Sequence, residues 1–68
     1  MRGRGRYQCE TVCSVNGFDI EREKIGASVY WNAFALNGDG YVRASYRNCG
    51  SKAGAIRQAK EHVWNNDD

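Results

Sequence analysis

The sequence predicts an α+β fold: a three- or four-stranded antiparallel β-meander followed by one C-terminal α-helix packed on one face. Two patterns predict it. Stretches of period-two alternation separated by Gly-containing turns run from Tyr7 to about Arg47, and a 3.6-period stripe of small and apolar residues follows Ser51. A chain of 68 residues makes one domain, and a domain of that size buries only about 60% of the surface its unfolded chain exposes. The expected organisation is a flexible basic arm at residues 1–6, a single domain at residues 7–66 and a frayed tail at residues 67–68.

The first strand is read from Tyr7 to Val15, where Tyr7, Cys9, Thr11, Cys13 and Val15 alternate with Gln8, Glu10, Val12 and Ser14. Asn16-Gly17 then forms a type I′ turn, because both residues tolerate positive φ. This turn pairs Val15 with Phe18 and Cys13 with Ile20, and predicts a short second strand from Phe18 to Arg22. The charged run Glu21-Arg22-Glu23-Lys24 and Gly26 mark a turn or an edge.

The next hairpin spans Val29 to Asn48 around Asn37-Gly38-Asp39-Gly40. A two-residue or a four-residue loop gives the same opposed pairs: Leu36 with Tyr41, Ala35 with Val42, Phe34 with Arg43, Ala33 with Ala44, Asn32 with Ser45, Trp31 with Tyr46 and Tyr30 with Arg47. Opposed residues share a face. Val29, Trp31, Ala33, Ala35, Val42, Ala44 and Tyr46 therefore make a core face, and Tyr30, Asn32, Phe34, Leu36, Tyr41, Arg43, Ser45 and Arg47 make a second one.

Ser51 is a good N-cap, and Ala55, Ile56, Ala59 and Val63 form the stripe that covers the core face. The helix is expected to stop near Trp64, where the Asn-Asn-Asp-Asp ending offers an asparagine C-cap and carboxylates that the helix dipole disfavours. Arg57, Lys60 and Trp64 point away from the stripe. Trp64 either folds back onto the rim of the sheet or serves an interface.

One helix covers one face of a sheet, so Tyr30, Phe34, Leu36, Tyr41, Arg43 and Arg47 are expected to stay partly in water. Contiguous apolar patches of this kind mark interaction surfaces. Aromatic residues beside arginine stack on bases and neutralise phosphates, and the same residue types are enriched at protein interfaces. Three of the ten basic residues, Arg2, Arg4 and Arg6, alternate with glycine at the N-terminus, and the seven left face eight carboxylates. The positive excess is thus the arm, which favours a nucleic-acid partner. Candidate contact residues are Arg2, Arg4, Arg6, Tyr30, Phe34, Tyr41, Arg43, Arg47, Lys52, Arg57, Lys60 and Trp64.

The strand order followed by Gly50-Ser51-Lys52 and an alanine-rich helix resembles the end of a double-stranded-RNA-binding domain, which implies a helix-start role for Lys52. The layout of residues 27–64 is similar to the arm-binding domains of phage integrases, which insert their sheet into the DNA major groove. The run from Ser45 to Ala59 also resembles the small bacterial YegP-like repeat domain. These resemblances imply a small sheet-plus-helix fold, and the first two imply nucleic-acid binding.

No phosphate-binding glycine loop, nucleophile elbow or paired acid-base set is present in the sequence, so no enzyme and no cofactor are expected. The alternative to a nucleic-acid binder is a phage or mobile-element inhibitor, of the anti-CRISPR or anti-restriction type, that binds a host protein or nucleoprotein complex. A homodimer through the second face is a further outcome.

Cys9 and Cys13, four apart on a strand, have Cα atoms about 13 Å apart and cannot bridge. Cys9, Cys13, Cys49 and His62 lack the tight spacing of zinc sites. The cysteines are read as thiols, with Cys9 and Cys13 as small buried hydrophobes. No apolar run reaches the roughly 18 residues of a membrane span, and the expected location is the cytoplasm.

Overall fold

The computed structural model describes residues 7–64, with side chains from residue 9 onward. The expected arm, with Arg2, Arg4 and Arg6, and the ending at residues 65–68 lie outside the described residues. Strands β1 (Tyr7–Val15), β2 (Phe18–Ile25), β3 (Ser28–Leu36) and β4 (Val42–Tyr46) form one antiparallel sheet in sequence order, and helix α1 (Lys52–Glu61) packs on one face of it. The meander-plus-helix fold is thus the architecture, with four strands. Among the described residues no helix is long and apolar enough to cross a membrane.

The β1–β2 hairpin follows the local chemistry of its turn. Asn16 (φ 53°) and Gly17 (φ 86°) both take positive φ, as a type I′ turn requires, and Val15 pairs with Phe18 and Cys13 with Ile20. A bulge at Val12 then breaks the alternation between Thr11 and Cys13. Cys9 and Thr11 oppose Glu23 and Glu21, whereas Cys13 and Val15 oppose Ile20 and Phe18 of the core. The expectation that Cys9 and Cys13 are both buried is corrected: Cys9 is exposed and Cys13 only half-buried.

Strand β2 runs three residues past Arg22 and takes the charged run into the sheet. Glu21 and Glu23 alternate onto the face without the helix, and the turn falls at Gly26-Ala27, with Ile25 paired to Ser28. A charged run marks a strand edge only when both faces are covered, and here one is open.

The β3–β4 register differs from expectation by two residues, for two separable reasons. The Asn37 amide donates to the Tyr41 carbonyl (2.9 Å) and the Gly40 amide to the Asn37 carbonyl (3.0 Å), with Gly40 at φ 88°. This is a three-residue loop with a left-handed glycine, neither the two- nor the four-residue loop. The Asn37 side-chain oxygen also accepts the Asp39 and Tyr41 amides. A second irregularity follows, because Leu36 pairs with Val42 but Ala35 with Ala44, so Arg43 is bulged. Two one-residue shifts restore the side-chain parity from Ala44 onward. Ala33 accordingly opposes Tyr46 instead of Ala44, yet both remain on the helix side.

The buried core is thin: Phe18, Ile20, Ala33, Ala35, Ala55 and Ala59. Phe18 and Ile20 are its large side chains, and burial of each contributes about 1.5–3 kcal/mol. Alanines on both layers bring the helix close to β3. The crossing from β4 to the helix uses left-handed Asn48 (φ 55°) and Gly50 (φ 88°), and the Cys49 amide donates to the Trp31 carbonyl at 2.7 Å. Ser51 caps the helix by accepting the Gly54 amide at 3.0 Å. Gly54 is held to glycine by space, since a Cβ there would lie 2.5 Å from the Cys49 carbonyl oxygen.

The helix ends at Glu61, earlier than expected, and Val63 is 79% exposed instead of joining the stripe. The cap comes from the first hairpin: the Asn16 side-chain amide donates to the carbonyls of Ala59 (2.8 Å) and His62 (3.1 Å). The chain then turns back, and the Trp64 indole N–H donates to the Asn16 carbonyl at 2.9 Å while its ring lies 5.2 Å from that of Phe18. Trp64 takes the fold-back position.

Two outcomes check this packing by urea denaturation. Ala33→Leu overpacks the alanine layer and costs about 1–3 kcal/mol. Asn16→Gly keeps the turn's positive φ but deletes the helix cap, and costs roughly 0.5–1.5 kcal/mol for a lost hydrogen bond.

Candidate interaction surface

The face left open by the helix is built by alternation from all four strands. Its register places Cys9 and Thr11 on β1, Asp19, Glu21 and Glu23 on β2, Tyr30, Asn32 and Phe34 on β3, and Ser45 on β4, with Arg47 just beyond. Of the expected contact residues, Tyr30, Phe34 and Arg47 come together here. The Arg47 guanidinium carbon lies 5.5 Å from the Phe34 ring centroid, within cation–π range.

Two expected members lie elsewhere. The bulge sends Arg43 to the helix side, where its guanidinium carbon sits 4.4 Å above the Trp64 ring. Tyr41 closes the loop opposite Asn37, outside β4, and is 72% exposed. Arg43, Trp64, His62, Val63 and Leu36 line a groove beside the end of the helix. Behind it Tyr46 and His62 are joined by a 2.8 Å hydrogen bond between the phenol and Nδ1, and Phe18 touches both rings. Lys52, Arg57 and Lys60 are exposed on the helix.

The open face also carries what its aromatic pattern did not announce, a row of carboxylates. Asp19 accepts from the Ser14 hydroxyl at 2.9 Å and Glu21 from the Cys9 thiol at 2.9 Å. Glu23 and Asn32 are buried although no helix covers them. The Asn32 amide donates to Glu23 Oε1 at 2.8 Å, its oxygen accepts the Asn48 amide at 2.8 Å, and Arg47 Nη2 lies 4.0 Å from Glu23 Oε1. Period-two alternation through Asp19, Glu21 and Glu23 was the signal for this row, hidden by assigning the run to a turn.

Comparison with protein-family models, curated proteins and solved structures returned no match. The surface is therefore read from its own chemistry: among the described residues, two half-buried aromatic rings, one guanidinium and three carboxylates, each carboxylate anchored by a neighbour. Such a face offers shape, hydrogen-bond acceptors and negative charge.

At the sheet-to-helix junction burial pushes the Cys49 thiol up from the ordinary cysteine range. Its thiol points to the Tyr46 carbonyl at 3.6 Å. A raised folded value makes the neutral thiol's contribution fully present below the unfolded cysteine's pKa and lost as pH rises through the folded one. The thermal midpoint of the wild type should therefore fall more steeply than that of Cys49→Ala as pH rises above the ordinary cysteine range; parallel curves would remove the effect.

Proposed function

We propose that this chain is a non-enzymatic binding module whose open sheet face docks a protein partner bearing basic side chains. The observation that carries this reading is the row Asp19, Glu21 and Glu23 running beside Tyr30 and Phe34. A nucleic-acid backbone, with one charge per about 1.7 Å of duplex axis, would meet three carboxylates and, among the described residues of that face, one guanidinium. A protein surface with lysines meets complementary charge, and buried aromatic and arginine side chains are the usual hot spots of such contacts. An inhibitor that blocks a host protein or nucleoprotein complex by contact is the form of activity that suits a domain of this size. The cytoplasm is the compartment that suits Cys9, Cys13 and Cys49, which form no disulfide.

A second reading, nucleic-acid binding, draws on a different observation. Residues 42–60 carry Arg43, Arg47, Lys52, Arg57 and Lys60 and no carboxylate. Of these, Arg43, Lys52, Arg57 and Lys60 would attract a polyanion to the side of the helix and β4, away from the carboxylate row, while Arg2, Arg4 and Arg6 add to the positive charge of the chain.

The test compares wild type with a Tyr30→Ala, Phe34→Ala variant of the open face and with an Arg57→Ala, Lys60→Ala variant. Affinity is measured for the protein that co-purifies from the native host at gentle salt and for labelled single-stranded and duplex oligonucleotides at two salt concentrations. The open-face variant should weaken the protein complex by about 2 kcal/mol or more, with the helix variant near wild type. Steep salt-dependent oligonucleotide binding that the helix variant reduces would favour the second reading. A folded open-face variant that changes neither protein affinity nor the monomer–dimer balance sinks the proposal.

A further inference from the structure

At the β3 end of the open face, Glu23, Ile25, Tyr30, Asn32, Arg47 and Asn48 line a pocket of about 220 Å³. That is below the roughly 300–1,000 Å³ of small-molecule sites, and suits one inserted side chain instead of a whole ligand. Its floor is unusual. The Glu23 side chain is only 10% exposed, and a carboxylate so placed needs most of its four acceptor positions filled to offset desolvation. Among the described residues it receives one short hydrogen bond, from Asn32 at 2.8 Å, and the 4.0 Å approach of Arg47.

Arg47 holds this position loosely. Its side chain is 64% exposed, its distance to Glu23 is at the limit of an ion pair, and its guanidinium also rests over Phe34 at 5.5 Å. It has somewhere to go when another cation arrives. Asn32 already occupies Oε1, so the carboxylate does not present both oxygens to a planar fork. A compact ammonium with rotatable donors suits the remaining acceptor sites better than a guanidinium does.

We infer that this pocket is the anchor of the docking face: it takes one lysine ammonium of the partner onto Glu23, with Tyr30 and Ile25 as apolar walls for the methylene stem and Arg47 displaced toward Phe34. The inference rests on the protein-docking reading above and names the side chain that the partner supplies. Asn32 is a positioning residue, holding Glu23 Oε1 and tied by the Asn48 amide to the strand-to-helix crossing.

The probes are N-acetyl-lysine N-methylamide and its arginine and norleucine counterparts, titrated into ¹⁵N-labelled full-length chain and followed at the Asn32 side-chain amide and the Asn48 backbone amide. The lysine compound should give saturable shifts with a dissociation constant of millimolar order, the arginine compound weaker ones and norleucine none. Glu23→Gln should weaken lysine capture by about tenfold. Arg47→Gln, which removes the resident competitor and is exposed enough to leave the fold intact, should tighten it by roughly threefold or more. That opposite sign is not expected of a merely structural residue, and it keeps the test decisive if Glu23→Gln fails to fold. Equal shifts with norleucine, tighter arginine binding, or Arg47→Gln without effect overturns the inference. The probes need no partner protein, so a pocket that ignores ammonium while the open-face variant still loses its partner defeats the anchor and leaves the docking face standing.

Discussion

The Asn16 side chain holds the two layers of this protein in register. An amide in a hairpin turn donates to the last carbonyls of a helix 43 residues away in sequence, while the carbonyl of the same residue accepts the Trp64 indole. One residue thus satisfies a turn, a helix end and the returning chain. Helix termini leave carbonyls that need partners, and here those partners are supplied by the sheet. The helix cannot slide along its axis without breaking the cap, and the hairpin cannot twist away without exposing Phe18, whose ring Trp64 covers.

That clasp matters because the core itself specifies little. Among the described residues, four of its six buried apolar side chains are alanine, which permits close approach but has few features to select one helix position over another. Specificity has moved into polar and aromatic contacts at the two ends of the helix: Asn16, Tyr46, His62 and Trp64 at one, and Ser51, Gly54 and Cys49 at the other. The open face follows the same rule. With no second layer over it among the described residues, Glu23 and Asn32 are buried within the sheet's own side chains and linked by a hydrogen bond.

The parts of this architecture legible in the sequence were those decided by backbone chemistry within a few residues. Asn16-Gly17 names its turn because few other residues accept left-handed φ twice, and Ser51 names the helix start because its hydroxyl caps it. The bulges at Val12 and Arg43 were not legible, since neither carries glycine and each is set by how neighbouring strands twist. Their consequences differ. At Arg43 a three-residue loop and a bulge compensate, so from Ala44 onward faces were right while partners were wrong by two, and Val42 and Arg43 before it changed face. At Val12 nothing compensates, and Cys9 changed face. Tyr30, Phe34 and Arg47 were therefore found together from sequence, whereas Arg43 and Tyr41 were misplaced by the register, and the helix end was misjudged because its cap is distant in the chain.

The carboxylate row changes what the open face means. Aromatic rings and arginines alone do not distinguish a base-stacking surface from a protein interface, because both exploit the same flat, amphipathic groups. In the reading proposed above, the residues between them make the distinction. Asp19, Glu21 and Glu23 alternate down the strand adjacent to Tyr30 and Phe34, with Arg47 beside Glu23, while Arg43, Lys52, Arg57 and Lys60 are spread over β4 and the helix. A sheet with these carboxylates beside its half-buried rings, and with Arg43, Lys52, Arg57 and Lys60 on its other side, presents different chemistry to different partners. The open face is the better ordered surface, since Asn32 and Asn48 tie it to the same crossing that begins the helix. A surface already held in place loses less entropy on docking than loose side chains do, which is why the stacked, hydrogen-bonded sheet face, and not the cations of the exposed helix surface, is the stronger place to look for recognition.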